Sequence, residues 1–135
     1  MLKNLILVSA MLSVAGLCLV QAQAVPTRRI LPEDVVLESV RMVRVSTNRF
    51  LVNWTYTEAG ANKMLTFNEA YQGQKFRVLI GNFESPLIEN NFRHTFPTST
   101  NYVQWKTGWL KYRTDKFFGV SEDDAKKIVS GLKNK

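Results

Sequence analysis

The sequence predicts an α+β fold: a small antiparallel or mixed sheet with two helices packed on one face, in the order β-β-α-β-β-α. Three observations predict it. Phe50 to Tyr56 alternates, with Phe50, Val52, Trp54 and Tyr56 pointing one way and Leu51, Asn53 and Thr55 the other, the period of a strand with one buried face. Lys75 to Ile80 places Phe76, Val78 and Ile80 on one side, and the Gly81-Asn82 pair after it reads as a hairpin turn. Ala125, Ile128, Val129 and Leu132 recur at the i, i+3, i+4, i+7 spacing of an amphipathic helix.

Taken in order, the chain opens on a short basic stretch, Met1 to Asn4, followed by apolar sequence from Leu5 to Val20 and an Ala-x-Ala pattern ending at Ala24. That is the layout of a cleavable secretory signal peptide, so residues 1–24 are read as a signal and the working protein as periplasmic or secreted. The apolar run, about 16 residues, is short of the roughly 20 that a spanning helix needs. Two other readings are a retained anchor and a lipoprotein joined through Cys18, although Leu17 stands where lipidation needs a small residue. Of the 135 residues, cleavage after 24 leaves 111, enough for one domain. It also removes Cys18, the only cysteine, so the mature chain has no thiol for a disulfide or a Cys-ligated metal.

Residues 25–32, with two prolines and Arg28-Arg29, read as a flexible lead-in to a single domain over 33–135. Val40 to Val45 reads as a strand that turns at Ser46-Thr47-Asn48-Arg49 into the strand Phe50 to Tyr56. Thr57 is placed to cap a helix running to Gln72, with Glu58 in its first turn and Ala61, Met64, Leu65 and Asn68 on one face. Gly73 sits where a left-handed C-terminal cap belongs. Phe83 to Ile88 is expected as a short return strand, with Pro86 marking an edge or bulge. Glu89 to Thr100 is polar and turn-rich, and the aromatic stretch Tyr102 to Tyr112 is expected to supply further strand. Ser121 followed by Glu122-Asp123-Asp124 is a helix start, a hydroxyl cap with acids in the first turn.

Four stretches, in order, carry a resemblance. Val52-Asn53-Trp54-Thr55-Tyr56-Thr57-Glu58-Ala59-Gly60-Ala61-Asn62-Lys63-Met64 resembles a strand leading into a Thr-x-Glu-Gly-Ala-Lys-like helix opening. Gly73-Gln74-Lys75-Phe76-Arg77-Val78-Leu79-Ile80 and Ser85-Pro86-Leu87-Ile88 resemble a Gly-Lys/Arg-x-apolar strand and its Ser-Ala-Pro-Val-Ile-like return. Phe118-Gly119-Val120-Ser121-Glu122-Asp123-Asp124-Ala125 resembles the start of a final capped helix. Together, over roughly residues 33 to 133, they resemble the head of the first periplasmic domain of SecD, an export-accessory membrane protein. The resemblance implies the fold, an envelope location and contact with polypeptides. The chain departs from the pattern at Gly81-Asn82, where an Asp-Gly-like turn is usual, and over Asn90 to Phe117, which is longer and more aromatic. It carries no transmembrane bundle beside the head, so the proton-coupled pulling of the family is not implied.

For chemistry the sequence offers little. His94 is the only histidine and lies in a polar loop with neither an orienting partner nor a nucleophile indicated. There is no Gly-x-Ser-x-Gly, phosphate loop or calcium-loop spacing, and no catalytic residue, metal or cofactor is predicted. The sequon Asn53-Trp54-Thr55 falls inside a predicted strand. Charge says more: without Lys3, 17 Lys and Arg stand against 11 Asp and Glu, a net +6 suited to an anionic surface or an acidic polypeptide in the envelope, with nucleic acid disfavoured by export. The segment Trp105-Lys106-Thr107-Gly108-Trp109-Leu110-Lys111-Tyr112-Arg113 interleaves aromatics with cations. It is open to two readings. Trp105, Trp109 and Tyr112 are core anchors with the cations outside, or Trp105, Lys106, Trp109, Lys111, Tyr112 and Arg113 form a contact surface. The function expected is a non-catalytic envelope binding or accessory module with a protein or polypeptide partner. The alternatives are a small secreted hydrolase or cell-wall enzyme, and a subunit of an envelope complex that docks through an exposed sheet edge.

Overall fold

Two sheets and three α-helices share one core in the computed structural model, which describes residues 24–91 and 95–134. Most of the expected signal segment, residues 1–23, and His94 lie outside the described residues. In chain order the elements are β1 (Thr27–Arg29), two 3₁₀ turns (Pro32–Asp34 and Leu37–Ser39), β2 (Arg41–Ser46), β3 (Arg49–Thr55), α1 (Glu58–Ala70), β4 (Lys75–Ile80), β5 (Phe83–Glu84), β6 (Ile88–Glu89), α2 (Ser99–Tyr112), β7 (Thr114–Val120) and α3 (Glu122–Lys133). The fold class is α+β.

One sheet is antiparallel with the order β2-β3-β7, and the other is built on β4, which pairs with β1 in parallel and with β5 and β6 antiparallel. The alternation read in Phe50 to Tyr56 is the inward face of β3 and the residue after it: Phe50, Val52, Trp54 and Tyr56 are all buried. Trp54 and Tyr56 meet edge to face, centroids 6.1 Å apart and planes at 89°, the arrangement that aromatic quadrupoles favour. Phe76, Val78 and Ile80 bring the inward side of β4 to the same core. The hairpin from β2 to β3 turns at Thr47-Asn48, where Asn48 adopts φ 52°. Asparagine tolerates this left-handed backbone better than most residues.

Helix α1 begins as expected, the Thr57 hydroxyl accepting the Gly60 N–H at 3.0 Å. Its buried face, Ala61, Met64 and Leu65, lies on the core. The carboxylate of Asp34 ties the preceding turn to it, accepting from the Leu31 N–H at 2.9 Å and from Lys63 Nζ at 2.7 Å, while the Asp34 carbonyl accepts the Thr57 N–H at 2.9 Å. Gly60 is needed here, because a Cβ would lie 2.1 Å from that carbonyl oxygen. Helix α3 also begins as expected, on a Ser121 cap that accepts the Asp124 N–H at 3.2 Å. It lies across both sheets, touching β2, β3, β4 and β5, and buries Ala125, Ile128 and Leu132. Its backbone abuts the β4–β5 turn, where a Cβ on Gly131 would sit 2.7 Å from the Ile80 carbonyl.

Four expectations are corrected. The flexible lead-in contains β1, in register with β4 as Thr27 with Arg77, Arg28 with Val78 and Arg29 with Leu79, and Ile30 after it is buried. Three residues are too few to show a period, and tertiary pairing decides the matter. The single sheet with two helices is two sheets with three helices among the described residues. The return strand Phe83 to Ile88 is divided into β5 and β6, because Ser85 turns its side chain into the ladder: the Val78 N–H donates to Ser85 Oγ at 2.8 Å, and Pro86 beyond it has no N–H to offer. Tyr102 to Tyr112, expected as strand, is helical, and the strand of that region is β7.

Candidate functional site: an aromatic and cationic helix

Helix α2 starts where the Thr98 hydroxyl accepts the Asn101 N–H at 3.1 Å. It stops at Arg113, whose left-handed backbone (φ 54°, ψ 33°) turns the chain into β7. The spacing of Tyr102, Trp105, Trp109 and Tyr112 is three, four and three residues, which puts all four on one side of a helix. The aromatic composition suited a strand, but the side chains do not alternate, and the helical period prevails.

Tyr102, Trp105 and Trp109 are half-buried, and Tyr112 is exposed. Trp109 is the anchor: Nε1–H donates to the Ala61 carbonyl at 3.0 Å, and the ring lies 5.6 Å from that of Tyr56. Trp105 stacks on it, centroids 5.9 Å apart and planes 11° from parallel, and also faces Phe96 at 4.8 Å and Tyr102 at 6.2 Å. Tyr102 donates its hydroxyl to Glu69 Oε1 of α1 at 2.7 Å. Desolvation first, then that carboxylate, pushes its phenol up to about 12. Tyr112 at the end is 63% exposed.

The cations follow the aromatics. Lys106 is half-buried with Nζ 5.8 Å from the centre of the Tyr102 ring, and Lys111 is exposed with Nζ 5.3 Å from that of Tyr112. Arg113 serves the backbone: its N–H donates to the Trp109 carbonyl at 2.8 Å and its carbonyl accepts the Tyr56 N–H at 2.7 Å. The structure therefore gathers Trp105, Lys106 and Trp109 on one half of α2. It leaves Lys111 and Tyr112 as a second, open pair, and makes Arg113 the residue that ends the helix.

Sequence reasoning missed Arg28, Phe96 and Tyr102. A cleft of about 370 Å³ opens between Trp105, Phe96 and β1, with Arg28, Asn68, Phe76 and Glu89 among its lining. The Arg28 guanidinium lies 5.1 Å over the Phe76 ring, donates to Asn68 Oδ1 at 3.2 Å and stands 3.7 Å from Asp115 Oδ2. That same carboxylate oxygen accepts the Tyr56 hydroxyl at 2.7 Å. Burial first, then the Asp115 charge, holds the Tyr56 phenol well above its ordinary value of 10, so it stays a neutral donor. On the other side of Phe96 a second cleft, of about 530 Å³, is lined by Glu69, Gln72 and Tyr102 among others. Phe96 thus stands between two recesses, one holding Arg28 and Glu89 and the other Glu69. The spacing from Tyr102 to Trp105 was the signal for the first of these residues; nothing local marks Arg28, which reaches the site only through β1 pairing with β4.

Among the described residues no group of three or more His, Cys, Asp and Glu side chains is placed to hold a metal ion, and no helix is long and apolar enough to cross a membrane. No family model, curated protein or solved structure matches this chain.

Proposed function

We propose that this chain is an exported envelope module that contacts polypeptides, without catalysis, through the aromatic and cationic side of α2. One observation carries the reading. Of the fourteen residues of α2 none is buried, while α1 and α3 each bury three or more. A helix of this length is marginal on its own in water and depends on packing. Here the packing falls largely to Trp109 and Tyr102; Tyr112 and Lys111 are exposed, and Trp105 and Lys106 are only half-buried. Rings of this kind offer contact area at small entropic cost to whatever apolar side chain passes, and the cations favour acidic neighbours. That combination suits transient contact with many sequences. The signal-like residues 1–24 and the resemblance to the SecD head support the compartment and the kind of partner.

A photo-crosslinking residue in place of Tyr112 tests this in exporting cells. Adducts with exported polypeptides are expected from position 112, to be lost when Trp105→Ala is added. The same probe at Lys127, on the outer side of α3, is expected to give none. Equal adduct yields from positions 112 and 127 would sink the proposal.

A further inference from the structure

The outward face of the β2-β3-β7 sheet carries a pattern that neither the core nor α2 uses. The register sets Val43 opposite Leu51 and Leu51 opposite Phe118, so the three form one row across the sheet. The neighbouring row, Met42, Val52 and Phe117, is the inward one and packs on the core. Outside, Phe118 is 67% exposed, Val43 51% and Val45 46%. The next outward row is Arg41, Asn53 and Lys116. Arg49 stands on the other side of Leu51. The three strands contain four cations and a single acid, Asp115, and that acid is turned inward to the Tyr56 hydroxyl.

We propose that this face rests on an anionic lipid surface, with Phe118 and Val43 entering the headgroup boundary and Arg41, Arg49 and Lys116 meeting the phosphates. Charge decides against a second copy of the chain, since a two-fold contact would set these cations against themselves. The apolar row spans about 10 Å across the three strands, with the cations in the rows beside it. A bilayer surface is flat, negatively charged and takes up single apolar side chains between headgroups, and each cation near it adds to the attraction. Helix α2 packs on the inward side of β3 through Tyr56 and is left clear of the lipid. This proposal rests on a different observation from the reading of α2 and stands or falls separately.

The test is flotation with vesicles, using a chain begun at Ala24, which keeps every core residue from Ile30 to Leu132. Vesicles of phosphatidylglycerol mixed with phosphatidylcholine are expected to carry the protein at low salt, and phosphatidylcholine alone is not. Arg41→Glu with Lys116→Glu is expected to weaken binding about tenfold or more, and Phe118→Ser roughly fivefold. Urea midpoints show that the variants remain folded. Should the double variant not fold, Lys116→Glu alone is expected to lower binding in the same direction. Three results would overturn the proposal: no binding of the parent chain to anionic vesicles, equal binding by parent and variants, or binding that survives them all and is lost in Trp105→Ala. Capture of soluble polyglutamate without vesicle binding would assign the face to an acidic polypeptide instead.

Discussion

Helices α2 and α3 are built alike and used differently. Both open on a hydroxyl cap, Thr98 in one and Ser121 in the other, and they have fourteen and twelve residues. In α3, aliphatic side chains at helical spacing are wholly buried, and Gly131 lets the helix backbone meet the β4–β5 turn. In α2 the inner side is aromatic and half covered, and one tryptophan indole bonded to a carbonyl of α1 does much of the holding. A close-packed aliphatic stripe spreads its stabilisation over many small contacts. A few aromatic and hydrogen-bonded anchors concentrate it, and leave the rest of the helix free to meet a partner.

The difference can be broken from the α3 side with the largest effect. Leu132→Ala and Ile128→Ala each remove a side chain with no exposed surface and are expected to cost about 2 to 5 kcal/mol in urea unfolding. Gly131→Ala forces a Cβ against the Ile80 carbonyl and is expected to cost roughly 1 to 3 kcal/mol. On α2 the greatest loss is expected from Trp109→Ala, about 2 kcal/mol, since the residue is only half-buried but also gives up its bond to Ala61. Trp105→Ala is expected to cost about 1 kcal/mol, while Tyr112→Ala stays within about 0.5 kcal/mol of the parent. Of these, Trp105→Ala is the one expected to abolish crosslinking from position 112. A Trp105→Ala loss as large as that of Leu132→Ala would make the two helices equivalent and Trp105 a core residue.

The smallest effect sharpens the comparison by pH. Tyr102 has its phenol pushed up to about 12 from the ordinary 10, so the folded chain holds that proton more tightly than the unfolded chain. Its contribution to stability is therefore complete below pH 10 and lost as pH rises through 12. Tyr102→Phe is expected to remove that part of the alkaline loss from α2, leaving the part that belongs to the buried Tyr56 phenol, raised in the same direction. An unchanged alkaline profile would mean that the bond to Glu69 does not hold α2.

What the sequence made legible follows from the same contrast. The hairpin of β2 and β3, the starts of α1 and α3 and the strand β4 were readable because aliphatic and aromatic side chains alternate or recur on one inward face. In β7 the polarity is mixed: Phe117 points inward and Lys116 outward, but Asp115 also points inward, where Tyr56 and Arg28 satisfy it, Phe118 points outward, and Gly119, at φ +78°, adds an extra residue opposite β3. A pattern search that expects apolar residues inside misses such a strand. The candidate residues of α2 were legible as chemistry, Trp105, Lys106, Trp109, Lys111 and Tyr112 all lying on it, though not as geometry. Arg113 has a second part that its side chain did not signal, its backbone ending the helix and bonding Tyr56. Arg28 was out of reach, since its place in the cleft depends on a parallel pairing fifty residues away in the chain (Arg28 with Val78).

Native-state hydrogen exchange tests most directly whether α2 is the loosely held helix. The amides of α2 are expected to exchange through a local opening well below the free energy of global unfolding, while those of Ile128 and Leu132 in α3 exchange only when the whole chain unfolds. Exchange of both helices at one common free energy would contradict the account.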